Sequence, residues 1–256
     1  MSAGAVHFSK ADGVASVVFD RREAYNAMTV AMYDQLSTTC AAIAADSDLR
    51  VATFRGTGEA FVAGTDIREF LTYDSAEDGI AYEQRIDAVI TAIENLAVPT
   101  IAVVDGAAMG GGLLIATACD LRIATPTARF GVPIARTLGN CLSLASTARL
   151  VAELGPSRTK RLLLLADSIS ADEALSCGYV VQVVKREGIE DVVNNMCRQL
   201  VSHAPITMQV AKESIRRLSG ALPLGDDLIR AAYSSSDFRA GVRAFLAKQH
   251  PQWTGR

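Results

Sequence analysis

The stretch "AAMGGGLLIATACD", residues 107–120, decides how the chain is read. Three consecutive glycines run into an apolar segment of the right length for a short buried helix. Glycine at a strand-to-helix turn allows backbone geometry closed to other residues and leaves the first N–H groups of the helix uncovered. Those amides and the positive end of the helix dipole favour negative charge. Leu113 and Leu114 nevertheless follow, where a reactive side chain would be expected.

Outward from this turn the chain alternates strands and helices. "TIAVVDG" before it and "DLRIAT" after it read as strands, with Val98-Pro99 ending the helix upstream. That helix spans Ala76 to Leu96, with Ile80, Ile86, Val89, Ile90 and Ile93 on its apolar side. "RVATFRG" reads as a buried strand. An earlier helix carries Met28, Met32, Leu36, Cys40 and Ile43 at helical spacing, with Thr29 as its cap. At the start, "AVHFSKADGVASVVFDR" reads as two strands around an Asp-Gly turn.

From about Ser157 helices take over. "SRTKRLLLLAD" and "SADEALSCG" are helical, the latter with a capping box from Ser170 to Glu173. "YVVQVVK" reads as one more strand, followed by helices near 189–203, 205–218, 224–234 and 236–249. Nothing resembling a long linker divides the chain.

Composition narrows the function. Half of the 256 residues are hydrophobic and 21% are charged, which suits a large α/β core. A net charge of -3 lacks the basic face that nucleic acid requires. Apolar runs such as "RLLLLAD" fall far short of the ~20 residues that span a bilayer. No signal peptide is legible in "MSAGAVHFSKADG". Cys40, Cys119, Cys141, Cys177 and Cys197 have no CxxC spacing, as expected of reduced thiols in the cytoplasm. No metal site is expected, and His7, His203 and His250 have no triad partners in the pattern.

The glycine run is not a dinucleotide fingerprint, because "GAAMGGG" is not G-x-G-x-x-G, and no G-K-[ST] marks a phosphate loop. A second turn of similar character, "FVAGTDI" at 61–67, follows the preceding strand. Two amide clusters on successive strand–helix units suggest two N–H donors converging on one oxygen, an oxyanion hole.

With these motifs in place, the chain resembles the enoyl-CoA hydratase/isomerase (crotonase) superfamily. "DRREAYNAM", "FVAGTDI", "VVDGAAMGGG", "CDLRIAT", "ARFGVP", "SADEALSCGYVVQVV" and "AKESI" occur in the family's order, across roughly residues 6 to 250. The resemblance implies an α/β fold: a crotonase (ClpP-like) spiral of repeated ββα units over 1–195, then a C-terminal helical trimerisation region over 196–256. It implies an acyl-CoA thioester as substrate, a homotrimer or dimer of trimers, and no cofactor beyond the coenzyme A of the substrate. By position, Thr65 N–H and Gly111 N–H are the oxyanion donors. Glu23, Tyr25, Ala63, Asp66, Ile67, Arg68 and Gly110 fall along the CoA site, with Phe245 and Lys248 at a looser, C-terminal part of it.

The chain departs from the family's hydratases at two positions. Their catalytic glutamates correspond here to Leu114 and, in "FGVPI", to Ile134, neither of which can hold water or move a proton. Substitutes are sought in "PIARTLGNCLS", residues 133–143: Asn140 to orient a water or substrate oxygen, and Arg136 to pair with an acyl carboxylate. Cys141 is a third candidate, as base or nucleophile. Each also has a plain structural reading: Arg136 as a surface or CoA-phosphate contact, Asn140 as a turn residue, Cys141 as a packed small side chain. Three functions remain open: a lyase or isomerase with replaced acid/base groups, a decarboxylase or C–C-cleaving enzyme, and a non-catalytic acyl-CoA binder.

Overall fold

Pairs of short strands recur along the chain, and after the N-terminal hairpin each pair is split between two sheets. In the computed structural model, residues 3–73, 75–218 and 252–256 are described, with isolated positions 236, 240, 247 and 249. The strands are β1 (Ala5–Ala11), β2 (Val14–Asp20), β3 (Val51–Gly56), β4 (Ala60–Val62), β5 (Thr100–Val104), β6 (Ala107–Met109), β7 (Leu121–Ala124), β8 (Arg129–Gly131), β9 (Ser168–Ser170) and β10 (Gln182–Val183). The helices are α1 (Val30–Ala45), α2 (Ala76–Glu94), α3 (Gly111–Ala118), α4 (Ile134–Thr137), α5 (Leu144–Leu164), α6 (Ala171–Ser176), α7 (Ile189–Ser202) and α8 (Pro205–Leu218).

The larger sheet has the order β1-β2-β3-β5-β7-β10 and the smaller one β4-β6-β8-β9. Successive units β3-β4-α2, β5-β6-α3 and β7-β8-α4 therefore each add one strand to both sheets, which makes the spiral of ββα turns. Pairing is parallel except for β1–β2 and β8–β9. All five residues of β5 are buried, as a central parallel strand covered on both faces requires.

The main core lies between the sheets and α1, α2 and α3, with Phe19 meeting Phe61 edge-on at 5.7 Å between ring centres. A second cluster packs Val51, Ile101, Val103 and Ile123 on the far face of the larger sheet against Ile189, Val193 and Cys197 of α7. Thr29 caps α1, its side chain accepting from Met32 N–H. The Ser170 side chain likewise accepts from Glu173 N–H.

Several expectations need correction. Met28 precedes α1 rather than belonging to it, and forms a parallel β-bridge with Thr65. Ile80 is exposed, because the first turns of α2 extend past the core that receives Ile86 to Ile93. Helix takes over at Leu144, not Ser157: α5 runs from there and breaks at Gly155, whose φ of 76° no ordinary helical residue adopts. "YVVQVVK" yields only the two-residue β10, since Tyr179 and Val180 are buried in the turn before it. The helices expected at 224–234 and 236–249 lie outside the described residues.

Candidate functional site

Two parallel strands of the smaller sheet, β4 and β6, run side by side and each leads to a glycine of positive φ. Ala60 pairs with Ala107 and Val62 with Ala108. Beyond them Gly64 (φ 118°) and Gly110 (φ 50°) turn the chain, and a Cβ on Gly110 would lie 4.0 Å from the Gly64 Cα. The two turns are thus in contact. A side chain on Gly112 would overlap the Val62 carbonyl, so α3 starts against the end of β4 only because that residue has none.

The bridge to Met28 orients the first turn. Met28 N–H donates to Gly64 C=O at 2.8 Å, and Asp66 N–H donates to Met28 C=O at 2.8 Å. That pairing leaves Thr65 N–H outside it, facing the other side of the extended segment. In the second turn, Gly110 N–H donates to Gly131 C=O at 2.9 Å, and Leu114 N–H is the first to close a helical bond, to Gly110 C=O at 3.1 Å. Gly111, Gly112 and Leu113 N–H therefore stand at the open end of α3, where Gly110 supplies no side-chain cap.

A hydroxyl chain adjoins these amides that sequence reasoning did not find. Tyr33 Oη of α1 lies 2.8 Å from Thr65 Oγ1, which lies 2.7 Å from Tyr82 Oη of α2. A methyl group on Gly111 would overlap the Tyr33 hydroxyl and come 3.5 Å from Thr65 Oγ1. Burial pushes the Tyr33 phenol well above its usual range and the Tyr82 phenol up to about 12. Both stay neutral through the physiological range.

Leu114 is buried in the main core, and Ile134 packs half-buried against it. Ile134 opens the four-residue α4 that also carries Arg136, and Arg136, Asn140 and Cys141 are all exposed. The segment is tied down at its far end, where Ser143 N–H donates to Glu83 Oε2 at 2.8 Å and Ser143 Oγ donates to Asp87 at 2.9 Å. Burial raises the Glu83 carboxyl, with the Asp87 charge adding to the effect. Sequence reading passed over Glu83 because a polar residue on an amphipathic helix ordinarily faces water.

The segment "RREAYN" lies against the first turn. Asn26 is wholly buried; it accepts from Arg21 N–H at 2.9 Å and donates to Thr57 and Ala60 carbonyls at 2.8 Å each. Ala63 N–H donates to Tyr25 C=O at 3.0 Å, which brings Ala63 and Tyr25 together. Glu23, Tyr25, Ile67 and Arg68 are exposed, whereas Asp66 is held between Arg21 at 2.7 Å and Arg68. Those hydrogen bonds, the Arg68 ones foremost, hold the Asp66 carboxyl far below the usual carboxylate range. Asp120 accepts from Thr100 N–H at 2.7 Å and pairs with Lys212 at 2.8 Å, a structural role. Phe245 and Lys248 lie outside the described residues. Among the described residues no cluster of His, Cys, Asp and Glu could hold a metal, and no helix is long and apolar enough to cross a membrane.

The chain is similar to known proteins over nearly its whole length. The family model for enoyl-CoA hydratase/isomerase matches residues 9–256. A short-chain-enoyl-CoA hydratase of Clostridium acetobutylicum is 32% identical over 250 residues, covering 95% of both chains. A 1,2-epoxyphenylacetyl-CoA isomerase of Escherichia coli is 30% identical over 252 residues, covering 95% of this chain and 96% of that one. The crystal structure of an enoyl-CoA hydratase/carnithine racemase from Magnetospirillum magneticum superposes with a TM-score of 0.92 at 28% identity, covering 100% of this chain and 97% of that one. With the split strand pairs, the paired glycine turns and this match in hand, the chain belongs to the enoyl-CoA hydratase/isomerase family.

Proposed function

We propose that the protein is a lyase or isomerase of acyl-CoA thioesters that stabilises a thioester enolate in an oxyanion hole made by Thr65 N–H and Gly111 N–H. One observation carries this reading: both amides stand outside the strand pairing around them, on glycine turns that touch. Enolate formation builds charge on the carbonyl oxygen, and a fixed donor of this kind is worth roughly 10²–10³ in rate. The segment "RREAYN", Ala63 and the run from Asp66 to Arg68, with Gly110 beside them, would carry the CoA arm. Phe245 and Lys248 would complete that site.

Proton handling in this reading does not use the pair of glutamates. Leu114 and Ile134 offer only hydrocarbon, so Asn140 would orient a water or substrate oxygen and Arg136 an acyl carboxylate, both from the segment anchored at Ser143. The same apolar pair favours a second reading, a decarboxylase or C–C-cleaving enzyme in which the substrate brings its own charge and Arg136 holds the leaving carboxylate. A homotrimer or dimer of trimers in the cytoplasm belongs to the proposal, and sedimentation of the purified protein tests its size.

Incubation with saturated, unsaturated and carboxylated acyl-CoAs in D₂O, read by mass spectrometry, separates the readings. Deuterium at the α-carbon or added water supports the first, and loss of a carboxyl group or a C–C bond the second. Thioesters that bind tightly and return unchanged would leave a binding protein in place of an enzyme.

A further inference from the structure

The hydroxyl chain beside the cradle has one proton more than it needs. Tyr33, Thr65 and Tyr82 carry three O–H groups, and two hydrogen bonds join them. No other hydrogen bond engages these three hydroxyls among the described residues, so one O–H is left for an outside acceptor. Acidity decides which one. A phenol donates better and accepts worse than an aliphatic alcohol, because its lone pair is drawn into the ring. Thr65 Oγ1 has the two lone pairs needed to accept from both tyrosines. Both phenols then point inward, and the surplus proton is the one on Thr65 Oγ1.

Position gives that proton a target. Thr65 Oγ1 borders Gly111, where a methyl group would come 3.5 Å from it, and the Thr65 N–H belongs to the same residue. The tyrosines reach it from α1 and α2, so its rotamer is fixed from two sides. We propose that Thr65 is a double donor: its Oγ–H, oriented by Tyr33 and Tyr82, makes a third hydrogen bond to the thioester carbonyl oxygen beside the N–H groups of Thr65 and Gly111. This rests on the oxyanion-hole reading above. In these terms Thr65 touches the substrate, and Tyr33 and Tyr82 are positioning residues. Neutral phenols keep the device working across the physiological pH range.

The test is the infrared carbonyl stretch of butyryl-CoA carrying ¹³C at the thioester carbon, bound to the wild type and to four variants. Thr65→Val removes the hydroxyl and keeps the N–H, Thr65→Ser keeps both, and Tyr33→Phe and Tyr82→Phe each remove one orienting phenol. Expected are a red-shifted carbonyl in the wild type and in Thr65→Ser, a smaller shift in Thr65→Val, and a broadened band in the phenylalanine variants. The α-exchange rate of Thr65→Val falls roughly 10²-fold, as for loss of one oxyanion donor. A wild-type shift that survives intact in Thr65→Val overturns the double donor and leaves the backbone donors standing. Absence of any shift in the wild type overturns the backbone reading and the double donor with it. Should Thr65→Val fail to fold, a wild-type band shape in Tyr82→Phe overturns the proposal on its own.

Discussion

The buried Arg21 guanidinium donates to Asp66 Oδ2 at 2.7 Å, one residue beyond Thr65. The same arginine donates to Ala27 C=O at 2.9 Å, and Met28, next along, forms the bridge that orients Thr65. A buried ion pair therefore fixes the backbone of the first turn from below. Asp66→Asn removes the carboxylate from this pair, a loss of about 3 kcal/mol in stability by the usual cost of breaking such a pair. Urea unfolding measures it. Asp66 is held below its unfolded pKa, so its contribution is full above about pH 4 and drains away as pH falls further. The wild type should lose stability along that acid limb more steeply than Asp66→Asn.

Gly112 meets the Val62 carbonyl with no room for a Cβ. Backbone cannot rotate aside as a side chain can, so Gly112→Ala must push α3 away from β4. The expected cost is about 3 kcal/mol, the upper end for overpacking. Thioester affinity should fall with it, read by calorimetry at a temperature where the variant is folded.

Leu114 is 1% exposed within the main core. Leu114→Glu places a carboxyl there without a second one at Ile134, and groups that act as a unit do not restore activity singly. Crotonyl-CoA hydration by the variant should stay at the wild-type level, while the melting temperature drops by the equivalent of about 3 kcal/mol for lost packing and a buried acid. A hydration rate well above wild type would show that one glutamate suffices.

Much of this was legible from local pattern. Strands flanked by glycine, the Thr29 cap and the apolar faces of α1 and α2 are set by residues near one another in the chain. The glycine turns at 64 and 110 were legible for the same reason, since positive φ has few bearers. The hydroxyl chain was not, because Tyr33, Thr65 and Tyr82 share no periodicity and meet only when α1, the turn after β4 and α2 pack. Asn26 hid similarly: its partners at Thr57 and Ala60 lie across a loop. "RLLLLAD" misled in the other direction. Leu162 is buried but Leu164 and Leu165 are exposed, so an unbroken apolar run concealed which face turns inward.

Lys212 of α8 reaches Asp120 at 2.8 Å and the Val98 carbonyl at 3.3 Å, tying α8 to the mouth of β5. Lys212→Met keeps the aliphatic stem and removes the charge. Hydrogen exchange over residues 205–218 should accelerate, with about 1.5–3 kcal/mol lost locally, the usual worth of a hydrogen bond to a charged group.

Location of a bound thioester carbonyl tests the account most directly. A crystal structure with butyryl-CoA should place its carbonyl oxygen about 2.7–3.1 Å from both the Thr65 and Gly111 backbone nitrogens, the reach of a working oxyanion donor. A thioester bound with that oxygen away from both nitrogens would contradict the account.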